Sequence, residues 1–432
     1  MAVIVTGGGL EKLLAVPEVH RGTGDEQAKA CIVTLDDWKL RNQVRGLVFD
    51  TTAANTGLKT GACIILEKNL GVNLVWFACR HHVFEVMLSN VFTAALGPSG
   101  GPEVKLFSRF QKQWSSMNSE SYTPGNDALF VSDDIMQLRL EMSIYYSQAM
   151  KAQQPREDYR ELLSLCQIFL GRKSVADVKF RAPGAIHQAR WMAKAIYCLK
   201  LYMFQDQFVL TAAEKKGVTE VSLFVSLIYA KYWNEAPLAD RSPQNDINLL
   251  CQLRIYPTRV IAEAAEKAFR RHLWYISEHL IGLALFDSRV SADVKSEMVK
   301  NLRRPAMEKN LRRLDSVAFE YEHSLDTYVT ERTAELFDVV VKNGRERAAA
   351  FLEKDPADWS TDETFCEMLQ KVRQLKVVND CAERGIALIS AFNSTITKDE
   401  RQKQYLLRLV DEHRKQYPVA SKSAVMQMAV HD

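Results

Sequence analysis

A carboxylate, Asp50, directly follows the apolar segment VRGLVF (44–49) and begins a run of small, hydroxylated and amide residues. Thr51 and Asn55 belong to this run, DTTAANTG (50–57). A carboxylate that ends a strand beside small residues is suited to bind a divalent metal ion, which prefers hard oxygen ligands. The same residue types commonly cap helices, so in the alternative interpretation Asp50, Thr51 or Thr52 caps the helix that follows. The local pattern leaves both roles open.

The segment CRHH places Cys79 and His82 three residues apart at the end of a second apolar run, LVWFA. A thiolate and an imidazole at this spacing are typical of half a structural zinc site, which needs four ligands in all. No second C-x-x-H or C-x-x-C pair occurs in the sequence. The pattern therefore favours a structural interpretation, with Cys79 buried where a strand turns into a helix.

Two further segments combine charge with apolar residues on helices. In HQARWM, Arg190 beside Trp191 is consistent with a buried ion pair covered by the ring, or with a grip on a phosphate or a base. In NDCAERGI, Glu383 shares a helix face with apolar residues, and Arg384 follows it. A buried acid is unfavourable unless it binds a cation, so Glu383 is either a metal ligand or part of an internal salt bridge.

Basic residues cluster in AFRRHLWY and KNLRRPAMEKNLRRL, and such clusters can follow a phosphate backbone or form a solvated helix face. The candidate DNA-binding residues in them are Arg270, Arg271, Lys300, Arg303, Arg304, Arg312 and Arg313. The net charge of the chain is only +3, so these clusters predict one basic surface on an otherwise balanced protein.

The composition limits the classes of protein that fit. A chain of 432 residues predicts two or three lobes, or one domain with a large insertion, and 47% hydrophobic residues are enough to bury a core. Its eight cysteines form no C-x-x-C pair, which is typical of a reducing compartment. The N-terminal segment does not resemble a signal peptide, and no apolar run is long enough to span a bilayer. We therefore expect no membrane partner.

The apolar pattern changes near residue 98. Before it, three strands alternate with helices, which predicts a mixed or parallel sheet covered by helices, with one helix ending at Gly71. After it, apolar residues recur every three to four positions, which predicts a helical bundle. Two of the longest predicted helices cover 260–286 and 315–341.

Taken in order, these motifs resemble the catalytic domain of hAT-superfamily DNA transposases and of hAT-like proteins derived from them. The resemblance rests on FDTTAANTG, ACRHH, ARWM and AERGI, and it covers roughly residues 1–418. It implies an RNase H-like mixed sheet with helices, interrupted by a large all-helical insertion domain. The expected ranges are 1–97 for the first part of the core, 98–365 for the insertion, 366–418 for return helices that complete the core, and 419–432 for a flexible tail.

The resemblance also implies roles for single residues. Asp50 corresponds to the second acid of the family's DDE triad and Glu383 to the third, which together would bind Mg²⁺ or Mn²⁺ for phosphoryl transfer on DNA. Cys79 and His82 match the family's C-x-x-H motif, and Arg190 and Trp191 match its R-W pair. Thr51, Asn55 and Arg384 complete the matching motifs.

In the family, the first acid lies on a strand upstream of the counterpart of AVIVTGGG, and nothing in MAVIVTGGGL supplies an aspartate. Three interpretations follow. The chain is a transposon-derived remnant that binds DNA without cutting it, an active transposase whose N-terminal segment is missing here, or a helical interaction scaffold without DNA chemistry. The first two predict a nuclear protein that binds DNA and can form a homo-oligomer.

Overall fold

The computed structural model describes residues 1–7, 10–98, 104–130, 132–155, 157–171, 180–183, 192–306, 319–379 and 398–399. Packing divides the chain into two compact units. The described residues of the first unit lie in 1–79, 278–306 and 329 onward, and those of the second lie in 80–277 and 307–328. The domain ranges expected from the sequence follow a family resemblance rather than packing, and they stay predictions.

The first unit begins with four short strands in two pairs. Strands β1 (Val3–Gly7) and β2 (Leu10–Ala15) form an antiparallel hairpin, whereas β3 (Gly46–Phe49) and β4 (Val75–Ala78) are parallel neighbours. The described residues therefore contain two two-stranded sheets, where the sequence predicted a single mixed sheet. Strand β2 was not predicted from the sequence, and Leu10 of β2 pairs with Gly7 of β1.

Three helices accompany these strands: α1 (Gly24–Asp37), α2 (Ala53–Thr56) and α3 (Ala62–Leu70). Helices α1 and α3 pack through Ala28, Ala62 and Leu66, with Leu47 of β3 against them. Gly24 permits this approach, because a Cβ atom there would lie 2.2 Å from the carbonyl oxygen of Thr60. Helix α3 ends at the predicted position, where Gly71 takes the left-handed conformation with a φ of 70°.

The second unit is a bundle of helices. They are α4 (Arg80–Leu96), α5 (Lys105–Gln113), α6 (Asp133–Ala149), α7 (Glu157–Phe169), α8 (Met192–Met203), α9 (Ala212–Phe224), α10 (Ala230–Glu235), α11 (Ser242–Ile255) and α12 (Arg259–Arg270). A π-helical turn, Val225–Tyr229, joins α9 to α10. Helices α4 and α12 pack closely, with the rings of Phe84 and Phe269 stacked 6.0 Å apart. This unit is helical, as the apolar spacing predicted.

The first unit resumes with four more helices: α13 (Ala292–Asn301), α14 (Glu335–Val340), α15 (Gly344–Leu352) and α16 (Glu363–Gln374). Aromatic contacts join α15 and α16 to neighbouring segments of the unit. The ring of Phe286 stacks on that of Phe365 at 5.4 Å, and Phe351 meets Trp359 edge to face at 5.3 Å. The described helices of the chain include none that is both long enough and apolar enough to cross a membrane.

The prediction of continuous helices over 260–286 and 315–341 is wrong for the described residues, and 319–341 contains two 3₁₀ helices, Leu325–Tyr328 and Glu331–Ala334, before α14. Helix α12 ends at Arg270, and the apolar run that follows forms a 3₁₀ helix, Leu280–Phe286, in which every residue is buried. Gly282 packs so closely that a Cβ atom there would lie 2.9 Å from the methyl group of Thr333. Because all sides of this segment are buried, its apolar spacing could not distinguish a 3₁₀ helix from an α-helix.

Candidate functional site

Asp50 lies at the carboxyl end of β3. Strands β3 and β4 are in parallel register, with Phe49 opposite Ala78, and the N–H group of Cys79 donates to the carbonyl oxygen of Phe49 at 2.8 Å. Asp50 and Cys79 each follow the last residue of their strand, so both lie at the same edge of the parallel pair. This is the edge at which ligands bind in sheets of parallel strands.

The turn after Asp50 is held through the backbone carbonyl group of Asp50 and not through its carboxylate. Asn55 donates from its side-chain amide to the carbonyl oxygen of Asp50 at 2.9 Å, and Thr52 occupies the N-cap position of α2 without a side-chain capping bond. The capping interpretation is therefore wrong for α2. The Asp50 carboxylate is not used in forming the turn, and no cationic side chain among the described residues pairs with it.

A distant segment reaches the Asp50 carboxylate through Asn379. The backbone N–H of Asn379 donates to the sulfur of Cys79 at 3.0 Å, and its side-chain amide lies 3.4 Å from Asp50 Oδ1. Asp50 and Asn379 are 329 positions apart in the sequence. Val377 and Val378, immediately before Asn379, are buried. The chain thus returns to the edge of β3 and β4 just before the predicted acidic helix.

Two residues near the Asp50 carboxylate have a buried side-chain oxygen without a hydrogen-bond partner among the described residues. Thr51 is the next residue in the sequence, and Asn379 contacts Asp50 in the folded chain. Among the described residues, no hydrogen bond reaches the hydroxyl of Thr51 or the side-chain oxygen Oδ1 of Asn379. One carboxylate with neutral oxygen donors fits the ligand preference of Mg²⁺ or Mn²⁺. No group of three or more His, Cys, Asp or Glu residues in the described ranges could hold a metal ion. Glu383 and Arg384 lie outside those ranges.

Glu67 fixes the strand that carries Cys79. Its carboxylate oxygen Oε1 accepts from the backbone N–H of Leu74 at 2.7 Å and from the indole N–H of Trp76 at 3.2 Å. All three residues are buried. The end of α3 is thereby tied to β4, which keeps the edge near Asp50 in place. Glu67 was not singled out from the sequence, because a glutamate near the end of a helix carries no local sign of burial.

Cys79 and His82 have separate structural roles, each within its own unit. Cys79 is buried and its sulfur accepts the Asn379 N–H bond described above. His82, in the first turn of α4, lies with Nδ1 3.8 Å from the Glu85 carboxylate. Neighbouring His81 stacks on Trp233, with ring centroids 4.1 Å apart. The contacts agree with the structural interpretation of the CRHH segment.

A buried ion pair in the second unit was missed from the sequence. Arg80, the first residue of α4, contacts Asp246 of α11 at 2.6 Å, and its guanidinium group lies 4.6 Å from the ring centre of Tyr275. Both charged side chains are almost fully buried. Burial raises the pKa of the Asp246 carboxyl, and the Arg80 charge opposes that effect. This arginine is engaged inside the bundle and is not available to a ligand.

The predicted DNA-binding residues differ in whether they already pair with an acidic side chain. Arg270 is engaged within its own unit: it pairs with Glu266 at 2.8 Å and donates to the carbonyl oxygen of Phe319 at 3.2 Å. Lys300 pairs with Glu297 at 2.6 Å.

The exposed arginines are Arg271 in the second unit and Arg303 and Arg304 in the first, and none of these three has an acidic partner among the described residues. Arg190, Trp191, Arg312 and Arg313 lie outside the described ranges. The single basic surface stays a prediction.

The site therefore combines one strand-end carboxylate with a distant asparagine that reaches it. We find no protein-family model, curated protein or solved structure that matches this chain.

Proposed function

We propose that this chain is a transposase-derived DNA-binding protein with an RNase H-like core of the hAT type. The observation that carries the proposal is the contact of Asn379 with both Cys79 and Asp50. In the hAT-like arrangement, a long helical insertion separates the strand that bears the second acid from the helix that bears the third. The return of the chain to Asp50 across 329 positions is what that arrangement requires.

The positions of the remaining acid and of the strands also support the proposal. Glu383 follows Asn379 by four residues in the sequence, and four residues span at most about 14 Å. The proposed core needs both the hairpin β1–β2 and the parallel pair β3–β4, and both belong to the first unit.

The proposed DNA contacts are the exposed arginines. Arg303 and Arg304 follow α13 in the same unit as Asp50, and they have no acidic partner among the described residues. A guanidinium group that is not already paired can bind a phosphate without first breaking an ion pair. Arg271 has the same property in the second unit. DNA as the partner implies a nuclear location, which belongs to the same proposal.

Asp50 and Glu383 are the proposed ligands of Mg²⁺ or Mn²⁺. A divalent ion bound there would activate a water or 3′-hydroxyl group and stabilise the leaving oxygen of a phosphodiester. Two-metal sites of this kind use several carboxylates, and the matched motifs of this chain supply two. We therefore propose that the chain by itself binds DNA without cutting it.

DNA binding is tested by fluorescence anisotropy of the full chain with a labelled duplex across a range of salt concentrations. The variant Arg303→Ala/Arg304→Ala should bind more weakly, and the slope of log K against log salt should fall by about 0.9 for each lost phosphate contact. The matched control is Lys29→Ala/Lys371→Ala, because these two lysines of the same unit are already paired with Asp25 and Glu367. Equal losses in both variants would disprove a specific role for the arginines.

Cleavage is tested with the same duplex in Mg²⁺ or Mn²⁺. Binding without nicking is the expected result. Nicking that Asp50→Asn abolishes would instead support an active transposase, and nicking that survives this change would remove Asp50 from the mechanism. If the wild-type chain does not bind DNA at moderate salt, the helical scaffold becomes the better interpretation.

A further inference from the structure

We infer that Asn379 is a ligand for a divalent cation at Asp50, with the side-chain oxygen Oδ1 as the donor atom. The inference rests on the proposed function for the presence of a cation at Asp50, and it adds a residue that the motif comparison did not include. Asn379 lies in the segment that precedes the predicted acidic helix, at the edge where β3 and β4 end.

The contact between Asn379 and Asp50 is a weak hydrogen bond. Its length of 3.4 Å exceeds the usual 2.9–3.0 Å of an N–H···O bond. The Oδ1 atom of the same amide is buried and accepts no hydrogen bond from the described residues. A buried polar atom without a partner lowers stability, so an asparagine with only a structural role should satisfy both ends of its amide better than this. In its present orientation the amide therefore makes one long hydrogen bond and leaves its oxygen unused.

The backbone holds Asn379 in place. The N–H group is anchored on the Cys79 sulfur at 3.0 Å, and Val377 and Val378 are buried just before it. A half-turn about the terminal bond of the side chain exchanges the amide nitrogen and oxygen at nearly the same positions. After that exchange two oxygens, one from Asp50 and one from Asn379, face each other across the distance that now separates nitrogen from oxygen.

That distance fits two neighbouring ligands of one cation. In an octahedral site, adjacent oxygens are separated by √2 times the metal–oxygen distance, which gives about 2.9 Å for Mg²⁺ and about 3.3–3.7 Å for Ca²⁺. The observed 3.4 Å separation lies at the Ca²⁺ value and needs only about 0.5 Å of closure for Mg²⁺. The exchange also moves the amide nitrogen into the position that Oδ1 occupied, so the gain comes from the contact of the cation with the two oxygens.

The test measures Mn²⁺ binding to the full chain without DNA, by the electron paramagnetic resonance signal of free Mn²⁺. Four variants are compared with the wild type: Asp50→Asn, Asn379→Ala, Asn379→Asp and, as the matched control, Asn69→Ala. Asn69 belongs to the same unit, and its amide only donates to the carbonyl oxygen of Ile65. We expect Asp50→Asn and Asn379→Ala each to weaken Mn²⁺ binding by about tenfold or more, with Asn69→Ala unchanged.

Asn379→Asp tests whether the side chain of residue 379 reaches the cation. A ligand role predicts that this variant binds Mn²⁺ more tightly than the wild type, because a carboxylate replaces a neutral oxygen. It also predicts a lower melting temperature without metal, since two carboxylates then face each other, and recovery when Mn²⁺ is added. Loss of stability without a gain in Mn²⁺ affinity would overturn the inference, because a carboxylate at a ligand position binds the cation more tightly than a neutral oxygen.

The outcomes also distinguish this inference from the proposed function. If Asn379→Ala is folded and binds Mn²⁺ within twofold of the wild type while Asp50→Asn does not, the inference fails and the role of Asp50 stands. If neither change affects Mn²⁺ binding, or the wild type binds no Mn²⁺ at millimolar concentration, both the inference and the metal role of Asp50 fail. DNA binding, measured separately, does not depend on either result.

Discussion

Replacing His272 with leucine should make the second unit less sensitive to acid. His272 lies just after α12, and its ring atom Nδ1 is buried without a hydrogen-bond partner among the described residues. The pKa of His272 is lowered from 6.5 to about 4. Burial is the main cause, and the charges of the neighbouring His82 and Arg271 side chains act in the same direction. The imidazole therefore stays neutral in the folded protein at a pH where the unfolded chain takes up a proton.

The direction and size of the effect follow from proton linkage. Because the folded-state pKa lies below the unfolded value, the contribution of His272 is fully favourable above pH 6.5 and is lost as the pH falls toward 4. The slope approaches about 1.4 kcal/mol per pH unit in this window. Between pH 7.5 and pH 5.0 the wild type should lose about 2 kcal/mol of unfolding free energy through this residue alone.

The assay is urea unfolding of the full chain at pH 7.5, 6.5, 5.5 and 5.0 (about one point per unit through the window of proton uptake), followed by tryptophan fluorescence. Between pH 7.5 and pH 5.0 the unfolding free energy of the wild type should fall by about 2 kcal/mol more than that of His272→Leu, whatever the difference between the two proteins at pH 7.5. His20→Leu is the control, because the His20 side chain is 81% exposed. Parallel pH curves for wild type and His272→Leu would refute the reasoning.

Two further predictions concern buried charges. Arg80→Met should lower the unfolding free energy by about 3–5 kcal/mol, because it leaves Asp246 buried without its partner, and the double change Arg80→Met/Asp246→Leu should recover more than half of that loss in urea unfolding. A double variant no more stable than the single one would contradict this account. Glu67→Ala should cost about 2–4 kcal/mol, since the N–H groups of Leu74 and Trp76 lose their acceptor, whereas the exposed control Glu18→Ala should cost little. Equal urea midpoints for the two glutamate variants would disprove the role of Glu67.

The local elements could be read from the sequence where a short stretch contains its own signal. Strand β3 ends just before Asp50, and β4 ends just before Cys79, as the apolar runs predicted. Gly71 ends α3 because a residue without a side chain takes the left-handed conformation at little cost. The hairpin partner β2 and the 3₁₀ helix Leu280–Phe286 were missed, because pairing and burial on all sides leave no periodic pattern.

The candidate site was predicted in part. Asp50 was identified from its position after a strand. In the structure its side chain does not cap α2, which was the alternative role for this segment. Asn379 and Glu67 were not identified as parts of the site. Each looks like an ordinary polar residue until its contacts are known, because hydrogen bonds to Asp50 or to a buried tryptophan cannot be inferred from sequence neighbours.

The sequence by itself determined the local pieces: a carboxylate at the end of a strand, a buried cysteine at the end of the next, and a helical body between them and the last segment. Apolar spacing and glycine positions decide these within about ten residues, the range over which a strand or a helix turn forms. Only the tertiary structure decided that Asn379 meets Asp50 across 329 positions and that Arg80 meets Asp246 across 166. Such pairs exist because the whole chain packs, and the burial that brings them together is a property of the folded units rather than of any one segment.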